Sequence, residues 1–128
     1  METINRNVVN SVRFWLQNKD CCGEGKFYNT VVESCYSGIR WTPSYDSWIN
    51  VKVDGDVIAT LYPLTGRLWL RNLDTFIKRR RANAILCNLI EGYRIAKVGD
   101  KLHVVDSRFG YPVNELFPEG GYVFHGVI

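Results

Sequence analysis

The chain lacks any stretch near the roughly 18 consecutive apolar residues that a membrane helix needs, so no membrane span is expected. Its opening segment, METINRNVVNSVRFWLQNKD, holds polar side chains where a secretory leader would be apolar, and the chain is expected to work in the cytoplasm. Histidine is scarce, with only His103 and His125 present. His103 alternates with Val104 in a predicted strand and reads as a surface or edge residue. G-x-S-x-G, the P-loop pattern and H-E-x-x-H are all missing. Asp46, Asp54, Asp56 and Asp100 fall near turns, where Asp steadies the local backbone. The expectation is therefore a non-enzymatic protein with no cofactor. Acids are also too few for a DNA mimic: 13 Asp and Glu against 16 Lys and Arg cannot imitate a dense row of phosphates.

Cysteine is present at four positions, but no C-x₂₋₄-C pair exists to start a zinc site. The neighbours Cys21 and Cys22 are held about 3.8 Å apart by one peptide unit, too close for an easy disulfide. Four reduced thiols are expected, with Cys87 buried in a helix. A metal or redox role for Cys21, Cys22 and Cys35, with His103, remains as the alternative.

What the chain has in quantity is core material. The apolar share is 46%, the charged share 23%, and there are 6 Phe, 7 Tyr and 4 Trp, so a folded chain is expected. With 128 residues it reads as a single domain, residues 1–128, able to bury roughly two-thirds of its surface without staples.

Ile4, Val8, Val12, Trp15 and Leu16 recur at helical spacing and predict a helix over about residues 3–19, capped by Thr3. The segment from Asp20 to Gly25 ends it in a turn, and Phe27 to Tyr36 reads as a strand or a short helix. Residues 37–47 read mostly as loop, with Trp41 and Tyr45 needing something to pack on. From Trp48 the pattern alternates to Val53, turns at Asp54-Gly55, and returns over Val57 to Tyr62. A further strand, Arg67 to Arg71, places Leu68 and Leu70 on one face and Arg67, Trp69 and Arg71 on the other. Asp74 is the expected N-cap of a second helix to about Glu91, with Ile77, Ala82, Ile85, Leu86, Leu89 and Ile90 as its core face. Strands are expected at Tyr93 to Val98, Lys101 to Val105 and Tyr122 to Val127, with loop or a turn of helix over 106–121. The fold class is α+β: one antiparallel meander, with the sheet and second helix over about 48–127, and two amphipathic helices on one face.

The net charge of +3 is modest, but its distribution is uneven. Between Arg67 and Arg81 lie six bases and one acid, Asp74. Lys78, Arg79, Arg80 and Arg81 stand at the start of a helix, where the dipole disfavours cations by about 0.3–1 kcal/mol. Such a run calls for a phosphate or an acidic partner; a solvated helix start is the plainer alternative. Trp69 between Arg67 and Arg71 suits stacking on single-stranded nucleic acid if that face is open. Trp41, Tyr45 and Trp48 are either interface anchors or the closed edge of a small core.

Four pieces, Val57-Ile-Ala-Thr60, Leu68-Trp-Leu-Arg-Asn72, the basic helix start at 75–84 and Lys101-Leu-His-Val104, resemble in order and type those of small accessory proteins of tailed bacteriophages. The resemblance covers about residues 48–102 and carries no catalytic residues. It implies a viral accessory protein in a host cytoplasm. Two functions follow as expectations. One is binding and occlusion of a host protein, of the anti-CRISPR or anti-restriction kind, through Trp41, Tyr45 and the arginine cluster. The other is binding of single-stranded nucleic acid, with Lys78 to Arg81 on phosphates and Trp69 stacking on bases.

Overall fold

A computed structural model of the protein describes residues 9–14, 23–27, 29–38, 46–108 and 113–127. The described residues form an α+β fold, with antiparallel sheets and two helices. Residues 9–14 are helical (α1); the rest of the helix expected over 3–19 lies outside the described residues. Strands β1 (Gly23–Phe27), β2 (Thr30–Ser37), β3 (Asp46–Val53), β4 (Asp56–Tyr62) and β5 (Arg67–Leu70) then run as a meander. Helix α2 (Phe76–Leu89) follows, then β6 (Tyr93–Val98), β7 (Lys101–Asp106), β8 (Val113–Leu116) and β9 (Tyr122–Phe124).

The Asp54-Gly55 turn between β3 and β4 has φ of 52° and 85°, the doubly left-handed turn whose twist matches paired strands. Alternation then sorts the side chains. Val32, Ile49, Val51, Val53, Ala59, Leu61, Leu68 and Leu70 all face inward and are fully or almost fully buried. Helix α2 lays Ala82, Ile85 and Leu86 on that face, and Val12 of α1 joins the same core. Arg13 Nη2 donates to Asn88 O and Oδ1 at 3.5 and 3.4 Å, tying α1 to the end of α2.

Several expectations need correction. The segment expected to be a turn at 20–25 contributes β1, and the ambiguous stretch after it is a strand, because β2 pairs on one side with β1 and on the other with β3. The cap of α2 is Thr75, not Asp74: the Thr75 side chain accepts from the Lys78 N–H, while the Asp74 carboxylate is taken by the Lys78 amine. The strands do not form one sheet. The order is β1-β2-β3-β4-β5-β9 in one and β6-β7-β8 in the other. Strand β9 takes the free side of β5, pairing Leu68 with Phe124 and Leu70 with Tyr122, so the β6–β7 hairpin has no edge left to join there. Within the stretch read as loop, β8 pairs with β7, which makes β7 central; His103 is half-buried and not at an edge, and its Nδ1 is enclosed without a partner among the described residues. Cys87, expected inside, is exposed, because it lies away from the Ala82-Ile85-Leu86 stripe.

Rings join the two sheets. Tyr93 of β6 meets Phe124 of β9 edge to face at 5.0 Å, and Tyr122 lies 4.7 Å from the same ring. Tyr122 Oη donates to Glu115 Oε2 at 2.9 Å, linking β9 to β8. Burial first, then the Glu115 carboxylate, pushes the Tyr122 phenol up from 10.0 to about 12. The unfolded chain loses this proton near 10 and the folded chain near 12, so the stabilisation is whole below pH 10 and drains away as pH rises to about 12. Urea midpoints measured across that window should fall more steeply for the natural protein than for Tyr122→Phe, which cannot ionise there. Parallel curves would refute the assignment.

Among the described residues no helix is long and apolar enough to cross a membrane.

Candidate anion-binding surfaces

The basic run falls on the first turns of α2, and helical geometry divides it. Positions 78, 81, 82 and 85 share the inward side at 100° per residue; 79 and 80 point away. Lys78 is 4% exposed, with its Nζ 2.5 Å from Asp56 Oδ2 and 2.8 Å from Asp74 Oδ1. The hydrogen bonds it donates to Asp56 and then Asp74 hold its amine above the usual lysine range, and the bond from Lys78 holds the Asp74 carboxyl below its own. Arg81 is 1% exposed and donates from Nε to Thr30 Oγ1 at 3.1 Å. Burial, and then the charge of Arg80, pulls its guanidinium below the ordinary arginine value. These two members of the candidate set therefore serve the interior, and the structure leaves neither on a surface that a partner could reach.

Arg79 and Arg80 are half-buried and line a groove of about 500 Å³ with Phe76, Asn83, Ile95 and Lys97. Phe76, Arg79, Arg80 and Asn83 are spaced i, i+3, i+4 and i+7, so one helix face supplies them all. Arg79 Nη1 is steadied by Leu73 O at 3.2 Å. Asn83 donates from Nδ2 to Ile95 O at 3.0 Å and accepts from Ile95 N at 2.7 Å. Among the described residues no carboxylate lines this groove. Phe76 is 68% exposed at its rim, a large apolar surface left in water beside three cations. Carboxylates gather elsewhere: Asp74, Asp100 and Glu119 line a cleft of about 530 Å³ with Lys101.

The second surface is the outer face of the larger sheet. Arg67, Trp69 and Arg71 alternate away from Leu68 and Leu70, as expected from sequence. The Arg71 guanidinium lies 3.8 Å from the Trp69 ring centroid, and that of Arg67 lies 5.3 Å from Tyr62. Trp69 Nε1 donates to Gly120 O at 3.0 Å. Arg71 Nη1 donates to Thr60 Oγ1 at 3.0 Å, which in turn donates to Asn50 Oδ1 at 2.8 Å; Asn50 Nδ2 donates to Glu33 Oε1 at 3.4 Å. Lys52 closes this relay on the same Glu33 oxygen at 3.0 Å. Partial burial lowers the Arg71 pKa. A shallow depression of about 180 Å³ is lined by Tyr62, Arg67, Trp69 and Val123.

These two surfaces are not continuous. Helix α2 packs on the inner face of the larger sheet, whereas Arg67, Trp69 and Arg71 stand on the outer face. The window of six bases is therefore one feature in sequence and three in space: an outer-face pair, a buried pair and a groove pair. Trp41 and Tyr45 lie outside the described residues, and Trp48 is half-buried on the outer face. Phe76, Asn83, Lys97, Tyr62 and Val123 escaped the sequence reading. Phe76 and Asn83 carried a legible signal, since they share a helical stripe with the exposed arginines; Lys97 carried none, because it arrives from another strand. Cys35 is half-buried, Cys87 exposed, and neither is in a disulfide, while Cys21 and Cys22 lie outside the described residues. Comparison with protein-family models, curated proteins and solved structures finds no match to this chain.

Proposed function

We propose that the protein is a non-catalytic binding protein that docks an acidic surface of a host protein in the groove beside α2. In the setting the phage-like resemblance implies, that host protein is a cytoplasmic nucleic-acid-directed defence effector, of the CRISPR or restriction kind, inhibited by occlusion. The supporting observation is the groove itself: Arg79, Arg80 and Lys97 with no carboxylate among its described lining, and Phe76 exposed as an apolar anchor. A charge cluster desolvated against its own acids would offer a partner little. Among the described residues, this one meets no carboxylate in its groove.

The test places a photo-crosslinking phenylalanine analogue at Phe76 and expresses the protein in bacteria carrying a defined CRISPR or restriction system. A single cross-linked host protein is expected, together with restored phage plating. Both should vanish in Arg79→Glu with Arg80→Glu, and both should survive Arg67→Glu. Full restriction of phage in every defence strain, with no discrete cross-link, refutes the reading.

A second reading is favoured by the stacked Arg71 and Trp69 on the outer face, an arrangement suited to single-stranded nucleic acid. Under it, oligonucleotide affinity falls steeply with salt, and Trp69→Ala weakens it by about 1–3 kcal/mol per stacked base. Loss of affinity in Arg79→Glu with Arg80→Glu, but not in Trp69→Ala, would place the nucleic acid in the groove instead.

A further inference from the structure

The groove has a second wall with its own chemistry. Strand β6 is one of the two edge strands of the smaller sheet among the described residues. Its hairpin with β7 closes through Gly99-Asp100, with Val98 opposite Lys101. In a two-residue hairpin the flanking pair exchanges both main-chain bonds, and direction alternates along the strand. Val98, Ala96 and Arg94 thus turn their N–H and C=O toward β7, while Lys97, Ile95 and Tyr93 turn theirs away. The Asn83 side chain verifies this at Ile95, where it makes one bond to the N–H and one to the C=O, as a neighbouring strand would. Helix α2 therefore plugs the edge at Ile95. Two residues on, the Lys97 main chain faces the groove, and it has no partner among the described residues.

We infer that the groove takes an extended acidic peptide segment of the partner, which adds as a short strand against β6 at Lys97 with its carboxylates on Arg79 and Arg80. This rests on the docking reading above and names its occupant. Main-chain bonds at an edge give affinity without regard to sequence, and side-chain sites beside the edge select. Here the selecting sites are two guanidiniums and an ammonium for acids, and Phe76 for an apolar residue between them. Charge complementarity chooses a peptide rich in Glu and Asp. The flanking α2 limits the added strand to a few residues, since Asn83 already occupies the next pair of edge groups.

The experiment uses fluorescence anisotropy with a short fluorescein-labelled peptide in which Glu and Val alternate. The natural protein is expected to bind it at low salt, and Arg79→Glu with Arg80→Glu to abolish binding. Lys97→Pro removes the outward N–H as well as the charge, and proline is tolerated on an edge strand. Its binding should fall about fivefold to tenfold below that of Lys97→Ala, as expected for one lost main-chain hydrogen bond or slightly more. N-methylation of the peptide, which needs no change in the protein, should weaken binding only at the amide that meets the Lys97 carbonyl.

If charge reversal abolishes binding while proline and N-methylation have no effect, strand addition is overturned and the anionic docking reading stands. Failure of the peptide to bind, with the Phe76 cross-link to a host protein intact, has the same meaning. Equal competition by an oligodeoxythymidylate of matching charge overturns the peptide as occupant. Loss of both peptide binding and cross-link removes the inference and the docking reading together.

Discussion

Arg81→Ala is expected to lower the stability of the protein by about 2–4 kcal/mol, and Arg80→Ala by under about 1 kcal/mol, although the two arginines are adjacent. Arg81 is among the largest fully buried side chains, beside Ile85 and Leu86. Truncation leaves a cavity under α2 and takes away the Nε donor to the Thr30 hydroxyl. Release of a guanidinium from a buried site offsets part of that cost, which is why the figure stays below that of a comparable aromatic deletion. Arg81→Met refills most of the volume and should recover much of the loss. Urea denaturation of the three variants is the measurement. Equal losses for Arg80→Ala and Arg81→Ala would mean that the helix face has been assigned wrongly. The same comparison bears on function, since within the run Lys78 to Arg81 only substitutions at Arg79 and Arg80 can separate binding from folding.

Gly121→Ala is the second substitution expected to do serious damage. Gly121 sits at φ +94°, and a Cβ there would lie 2.3 Å from Leu70 O, 2.7 Å from Trp69 Nε1 and 2.8 Å from Arg71 Cβ. The nearest obstacle is backbone, so no side-chain rotation relieves it. Strain of the left-handed conformation adds about 1–3 kcal/mol. The structure can yield only by moving β9 away from β5, which uncovers Phe124, 3% exposed, and breaks the Trp69 bond to Gly120. Loss of that packing is worth about 3–5 kcal/mol at the limit. A lower urea midpoint, with a changed tryptophan emission, is the expected outcome. Gly120→Ala is the control, because nothing lies within 4 Å of its Cβ position. A harmless Gly121→Ala would show that β9 does not close the sheet as described.

Both effects arise where the chain's own pattern is silent. Gly120-Gly121 is too bare to suggest a function, and its requirement comes from β5, some fifty positions earlier in the chain, as the Trp69 bond to Gly120 spans 51 residues. The separation of Arg81 from Arg80 rests on Thr30, also 51 residues away, and the burial of Lys78 on Asp56, 22 away. A local reading of Lys78-Arg-Arg-Arg81 can count charges and note that four helical positions cannot all face water. It cannot know which of them meets a hydroxyl or a carboxylate.

What the sequence determined by itself was whatever obeys a short period. Alternation from Trp48, the Asp54-Gly55 turn and the outward placement of Arg67, Trp69 and Arg71 follow from the pleat. The core stripe of α2 follows from the helical repeat. These depend on neighbours a few residues apart, so propensity and pattern suffice. The tertiary structure decided the rest: that β9 and not β6 completes the larger sheet, that Val113–Leu116 becomes a strand, and that the basic run splits into interior and groove. Each of those outcomes is set by which distant edge or polar group is left unpaired when the elements meet, and pairing across space leaves no periodic trace in the chain.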